Sequence, residues 1–143
     1  MATRRLTRNE VDVTEMFRRA CFNVFAHNRD DHSRNFAFLM DAHGTWRVSP
    51  AYDLTWSQGP GGEHTLLIDT EGAYPTREHL EKLAASVDIK NTGPLIDEVR
   101  SAVANFHRFA EEAGVPQRLA SDIGRKLGVA RPAARKRARG RAK

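Results

Sequence analysis

Apolar residues first recur with a helical period at Val13, Phe17, Ala20, Cys21, Val24 and Phe25. Steps of three and four place them on one stripe of an amphipathic helix. Asp12-Val13-Thr14-Glu15 has the spacing of a capping box and is expected to open that helix. The pattern stops near His27-Asn28. The eight residues 28–35 contain no apolar side chain, so they read as a loop with its polar groups available. Residues 36–40 and 45–49 are short strand candidates, and Asp41-Ala42-His43-Gly44 between them supplies turn residues, which predicts a β-hairpin. Pro50 disfavours helix at Ser49. Gly59-Pro60-Gly61-Gly62 reads as a flexible loop and residues 65–69 as another short strand.

The rest of the pattern is helical. Thr76 caps a segment with Leu80, Leu83, Ala84 and Val87 on one face. Asn91 or Thr92 opens a longer segment carrying Leu95, Ile96, Val99, Val103, Phe106, Phe109 and Ala110, closed by Gly114. A last helix follows Pro116 with Leu119, Ile123 and Leu127. The expected class is α+β, mostly α, with one small hairpin at about residues 36–49.

Composition adds bounds. The chain has 143 residues, 40% of them hydrophobic and 29% charged, enough for one folded domain with a core. No apolar run approaches the ~20 residues of a membrane span. The first ten residues lack the apolar centre of a secretory signal. Cys21 is the single cysteine, so no internal disulfide forms, in keeping with a reducing cytoplasm. The net charge of +5 comes from the end of the chain. Seven of the 23 Lys and Arg lie at Arg131, Arg135, Lys136, Arg137, Arg139, Arg141 and Lys143, leaving 16 against 18 acids in residues 1–130. The organisation expected is a folded region, 1–130, and a disordered basic tail, 131–143. The tail could bind nucleic acid non-specifically, whereas the folded region carries no basic excess for a nucleic-acid face.

Candidate chemistry lies in the polar loop. Phosphoryl transfer needs a carboxylate to orient the attacking hydroxyl and oxygen ligands for Mg²⁺; protein kinases arrange these as H-R-D-x-x-x-x-N with a second metal-binding Asp after it. Here Asn28-Arg29-Asp30 is followed after four residues by Asn35, and beyond the predicted hairpin by Asp53. Asp30 is the candidate base, and Asn35 and Asp53 are the candidate Mg²⁺ ligands, which suit a hard cation. Asn28 stands where the general kinase loop has His, and Asp53 sits in Tyr-Asp-Leu rather than Asp-Phe-Gly.

Those departures carry a resemblance. Asn28-Arg29-Asp30-Asp31-His32-Ser33-Arg34-Asn35-Phe36 and Ser49-Pro50-Ala51-Tyr52-Asp53-Leu54-Thr55 resemble HipA-family serine/threonine kinases, whose loop has the form N-x-D-x-H-x-K-N plus an aromatic and whose metal Asp lies in S/T-P-x-Y-D. The likeness continues through Gly59-Pro60-Gly61-Gly62-Glu63-His64 and Tyr74-Pro75-Thr76-Arg77 to about Val115. Arg34 replaces the family's usual Lys; it keeps the charge but changes the donor geometry. The resemblance implies a kinase-like C-terminal lobe of a type II toxin–antitoxin kinase that moves the ATP γ-phosphate to a protein Ser or Thr. It implies Asp30, His32 and Arg34 as catalytic-loop residues. His32 reads as holding the loop rather than as a general base, and Arg34 as meeting the γ-phosphate or, alternatively, an internal carboxylate. Asn35 and Asp53 would hold Mg²⁺·ATP. An antitoxin is implied as partner, and an aminoacyl-tRNA synthetase as one kind of substrate.

Other assignments compete. His27, His32, His43 and Asp30 could serve a transition metal, but no paired spacing supports that. Cys21 reads as core, and Trp46 and Trp56 as packing residues. Glu63 and His64 fit the family pattern without an assignable role. A kinase also needs groups that hold ATP. With 29 residues before Asp30 and no Lys before Lys82, the ATP-binding half is expected to come from elsewhere and the isolated chain to be inactive. A non-catalytic interaction module, binding a missing kinase half or an antitoxin, is the alternative.

Overall fold

The computed structural model describes residues 2–129, so the predicted basic tail lies outside the described residues. It is mostly helical, with six α-helices and one two-stranded antiparallel hairpin among those residues, the class the periodicity predicts. It divides into a unit of residues Met1–Val103 and a second unit from Ala104 onward.

The first unit is built on α1 (Ala2–Thr7) and α2 (Glu10–Ala26). The Asn9 side chain caps α2 by accepting from the Val11 N–H at 2.8 Å. The helix therefore starts before the capping box predicted at residues 12–15. Asp12 is instead buried and pairs with Arg47 at 3.0 Å. The predicted stripe faces inward: Val13, Phe17, Cys21 and Val24 are buried. Burial pushes the Cys21 thiol up to about 12, which leaves it a small core side chain rather than a nucleophile.

Strands β1 (Phe38–Met40) and β2 (Trp46–Val48) pair in the register Phe38 with Val48 and Met40 with Trp46. The Asp41 carboxylate closes the turn by accepting from the His43 and Thr45 N–H groups at 2.8 and 2.9 Å. Two arginines fasten the hairpin to α2. Arg47 reaches Asp12, and the buried Arg19 donates to the Ser49 carbonyl at 2.6 Å. This second bond fixes the start of the chain leading to Tyr52 and Asp53.

Residues 65–69 do not form the predicted strand. Among the described residues no strand pairs with them, and the N–H groups of Thr65, Leu66 and Ile68 turn instead to residues 29, 31 and 71. Left-handed Asp69 and Thr70 reverse the chain. Ile68 alone of this stretch enters the core, with Phe17, Cys21, Val24, Leu80, Ala84, Ile96 and Val99. Helices α3 (Arg77–Ser86) and α4 (Thr92–Ala104) supply the last four of these. Thr76 caps α3 in a box with His79.

The long helix predicted from Asn91 or Thr92 to Gly114 is broken at Asn105, where ψ is 11°. The second unit contains α5 (Phe106–Glu112) and α6 (Gln117–Lys126). Gly114, at φ 69°, turns the chain between them. Ala110, Ala120 and Gly124 are buried. The tip of the His107 ring lies where a Cβ on Gly124 would stand, so the ring packs directly on the glycine.

Candidate functional site

The candidate loop begins where α2 stops. His27 takes the left-handed conformation, φ 49°, as C-cap. Asn28 then turns inward. Its N–H reaches the Asn23 carbonyl at 2.9 Å and its side-chain amide the Asn23 side chain at 3.0 Å. Asn28 is 2% exposed, so it anchors the loop rather than facing a ligand. Ser57 N–H donates to the His27 carbonyl at 3.0 Å, tying residues 27 and 28 to the stretch after Asp53.

Asp30 and Asp31 point to opposite fates. Asp30 is exposed. Asp31 is buried, and its carboxylate accepts from Thr65 N–H at 2.8 Å and Leu66 N–H at 3.1 Å, and pairs with His64 Nδ1 at 3.0 Å. On the other side of Asp30, the Arg29 carbonyl accepts from both the N–H and the hydroxyl of Thr65 at 3.2 Å. The expectation that all polar groups of 28–35 are available therefore fails for Asn28 and Asp31, whose hydrogen bonds are spent on holding the loop.

A short 3-10 turn, Ser33–Asn35, follows. The Asn35 side-chain N–H donates to the Asp30 carbonyl at 3.0 Å. That bond uses the amide nitrogen and orients the loop's amide oxygen, the atom suited to a hard cation. His32 Nε2 lies 3.9 Å from an Asp30 carboxylate oxygen, too far for a hydrogen bond, and its buried Nδ1 has no hydrogen-bond partner among the described residues. Arg34 is exposed, and its backbone carbonyl accepts from the Tyr52 hydroxyl at 2.7 Å.

The bond from Tyr52 matters most for the assembly of the site. It draws the Tyr52-Asp53 segment onto the 3-10 turn that carries Asn35. Asp53 is exposed and held at φ 53°. Asp tolerates this left-handed conformation better than most residues with a side chain. Asp30, Asn35 and Asp53 thus come from one loop and the segment pinned to it. Their oxygen-rich set fits a hard cation such as Mg²⁺. Of the transition-metal candidates, His27, His32, His43 and Asp30 form no metal-holding group of three His, Cys, Asp or Glu among the described residues.

The Gly59-Pro60-Gly61-Gly62 stretch packs on this loop. A Cβ on Gly59 would collide with the Glu63 carbonyl and with Arg29 Cβ, and φ at Gly59 is 70°, so glycine lets the two segments touch. Exposed apolar side chains adjoin the site in the chain: Tyr52 and Leu54 flank Asp53, Leu66 is bonded to Asp31 through its N–H, and Leu67 follows it. Sequence reasoning missed Asp31 and His64 as a pair. They are 33 residues apart, and neither sits in a periodic pattern that would reveal burial.

A family model described as the HipA-like C-terminal domain matches residues 1–131. The chain belongs to the HipA-like C-terminal domain family. No curated protein and no solved structure matched it. No helix among the described residues of this HipA-like chain is long and apolar enough to cross a membrane.

Burial, and after it the charges of Arg29 and His64, hold the His27 imidazole below its usual range. The folded state thus takes up this proton at lower pH than the unfolded state, whose value is near ~6.5. Stability from this source is full above about pH 6.5 and is lost as pH falls from there through the lower folded value. His27→Asn, which tolerates the left-handed conformation, is expected to flatten the difference in urea midpoint between pH 7.5 and 5. An unchanged slope would show that His27 titrates as in the unfolded chain.

Proposed function

We propose that this HipA-like chain carries the catalytic and metal-holding loops of a serine/threonine protein kinase, which moves the γ-phosphoryl group of ATP to a protein hydroxyl. The supporting observation is the joint placement of Asn35 and Asp53. The Asn35 amide is oriented by the Asp30 carbonyl, and Asp53 is brought to the same turn by the bond from Tyr52 to the Arg34 carbonyl.

In this proposal the exposed Asp30 carboxylate orients the incoming Ser or Thr hydroxyl and receives its proton. The hydroxyl oxygen bonds to the γ-phosphorus as the bond to the β–γ bridging oxygen breaks, and ADP leaves. Mg²⁺ bound through Asn35 and Asp53 would neutralise charge on the phosphates. In this reading the exposed Arg34 meets the transferring group, and His32 lies 3.9 Å from Asp30 in the same loop. Groups that hold the nucleotide are proposed to come from outside residues 1–143. The exposed Tyr52, Leu54, Leu66 and Leu67 offer apolar surface for that contact. The same surface favours the second reading, in which the chain serves as an interaction module for such a half or for an antitoxin.

Radiolabelled transfer from ATP tests the proposal. The 143-residue chain joined to the nucleotide-holding half of a HipA-like relative is expected to label protein in a Mg²⁺- and Asp30-dependent way, and the chain alone to label negligibly. A joined protein that folds and binds ATP yet transfers nothing would favour the interaction module.

A further inference from the structure

We propose that Asp31 and His64 are positioning residues that set the Asp30 carboxylate and the Asn35 amide, through a clamp built on residues 64–66. The proposal rests on the reading of Asp30 and Asn35 given above.

Asp31 is buried while the adjacent Asp30 is exposed, so holding Asp31 inward sets where Asp30 stands. The clamp grips on both sides of Asp30. Thr65 holds the Arg29 carbonyl through two donors, while Thr65 N–H, Leu66 N–H and His64 Nδ1 converge on the Asp31 carboxylate. The His64 and Asp31 side chains are 1% and 2% exposed. A carboxylate buried this deeply without its donors would be strongly unfavourable, so the three donors specify one inward geometry for residue 31.

The clamp itself is tied to the core. His64 N–H donates to the Gly72 carbonyl at 2.8 Å, closing the segment from residue 64 to 72. Within it Ile68 exchanges backbone hydrogen bonds with Glu71 and sits 4% exposed in the core cluster. Gly72 is buried, and a Cβ there would press on Leu67 at 3.1 Å. Position is thus passed from Ile68 through His64 to Asp31, and from Asp31 to the adjacent Asp30. Asn35 is set in turn, because its amide hangs on the Asp30 carbonyl. Side chains that orient metal ligands without touching the metal change affinity about 10–100-fold when lost. Neither Asp31 nor His64 needs to touch a substrate to have such an effect.

The chemistry of the pair supplies a rescue test. An Asn at position 64 can place an N–H donor where His64 Nδ1 stands, while Leu at 64 fills space without a donor. The isotope-labelled 143-residue chain is compared as wild type, His64→Leu and His64→Asn. Two quantities are followed by NMR: the Asp30 and Asn35 amide signals, and line broadening at Asn35 and Asp53 on titration with Mn²⁺ alone. Hydrogen-exchange protection at Leu80 and Ile96 checks that the core is intact.

His64→Leu is expected to shift the residue 30–35 signals and to weaken Mn²⁺ binding about tenfold or more, with core protection retained. His64→Asn is expected to restore both. Unmoved Asp30 and Asn35 signals in His64→Leu would overturn the proposal, as would a His64→Asn protein indistinguishable from His64→Leu. If wild type shows no Mn²⁺ broadening at Asn35 and Asp53, the metal assignment fails, while the amide shifts still decide the clamp. If His64→Leu loses core protection, Asp31→Asn takes its place. Its side-chain oxygen can still accept from Thr65 and Leu66, so the clamp predicts small shifts there and large ones in Asp31→Ala.

Discussion

Asp30→Asn is expected to lower kcat for phosphate transfer about 10²–10⁴-fold, the usual worth of a positioned base, in the joined, transfer-competent protein. The substitution keeps the size of the side chain and its hydrogen-bonding oxygen but removes the proton acceptor. The Asp30 side chain does not hold the fold: it is exposed, and the loop is fastened instead by Asn28, Arg29 and Asp31. The melting temperature and the KM for ATP should therefore stay near wild type. A fall in kcat with a matching loss of stability would mean that Asp30 is structural. Unchanged kcat would remove it from the chemistry.

Leu80→Ala is expected to destabilise the protein by about 2–5 kcal/mol, the range for a leucine truncated in a packed core. Leu80 is fully buried in the cluster that joins α2, α3, α4 and Ile68. The cavity opens in the cluster that Ile68, from the segment that carries His64 and Thr65, also enters. Total stabilities of domains run to about 5–15 kcal/mol, and one such change takes a large share of that. Leu119→Ala is the control. Leu119 is 50% exposed on α6, and its truncation should stay within roughly 0.5 kcal/mol. Urea unfolding of the two variants measures the contrast, and equal losses would contradict the assignment of the core.

Elements bounded by their own local chemistry were legible in the sequence. The stripe from Val13 to Val24 is buried as its period predicts, Thr76 caps α3, and Asp41 closes the hairpin. Features that depend on a distant partner were not. The short apolar run within residues 65–69 reads as a strand, but a strand needs a neighbour, and the N–H groups of Thr65 and Leu66 find Asp31 instead. Asp12 looks like a cap until Arg47, 35 residues away, is seen to pair with it. The break at Asn105 leaves no mark because Phe106 and Ala110 continue the apolar period of Val99 and Val103 without a glycine or proline between them. The candidate site divides the same way. Asp30, Asn35 and Asp53 stand out by order and spacing, whereas the pairing of Asp31 with His64 exists only once the chain has folded.

Mapping divalent-ion binding on the wild-type chain and on Asp53→Asn tests the central claim, that Asn35 and Asp53 together form one metal-holding site beside Asp30. With Mn²⁺ and ATP added to the isotope-labelled protein, NMR signals of Asn35 and Asp53 should broaden before any others, and Asp53→Asn should abolish the effect at Asn35 while leaving the fold intact. Broadening centred elsewhere, for instance at the Asp41 turn, or broadening at Asn35 that survives Asp53→Asn, would contradict the assignment.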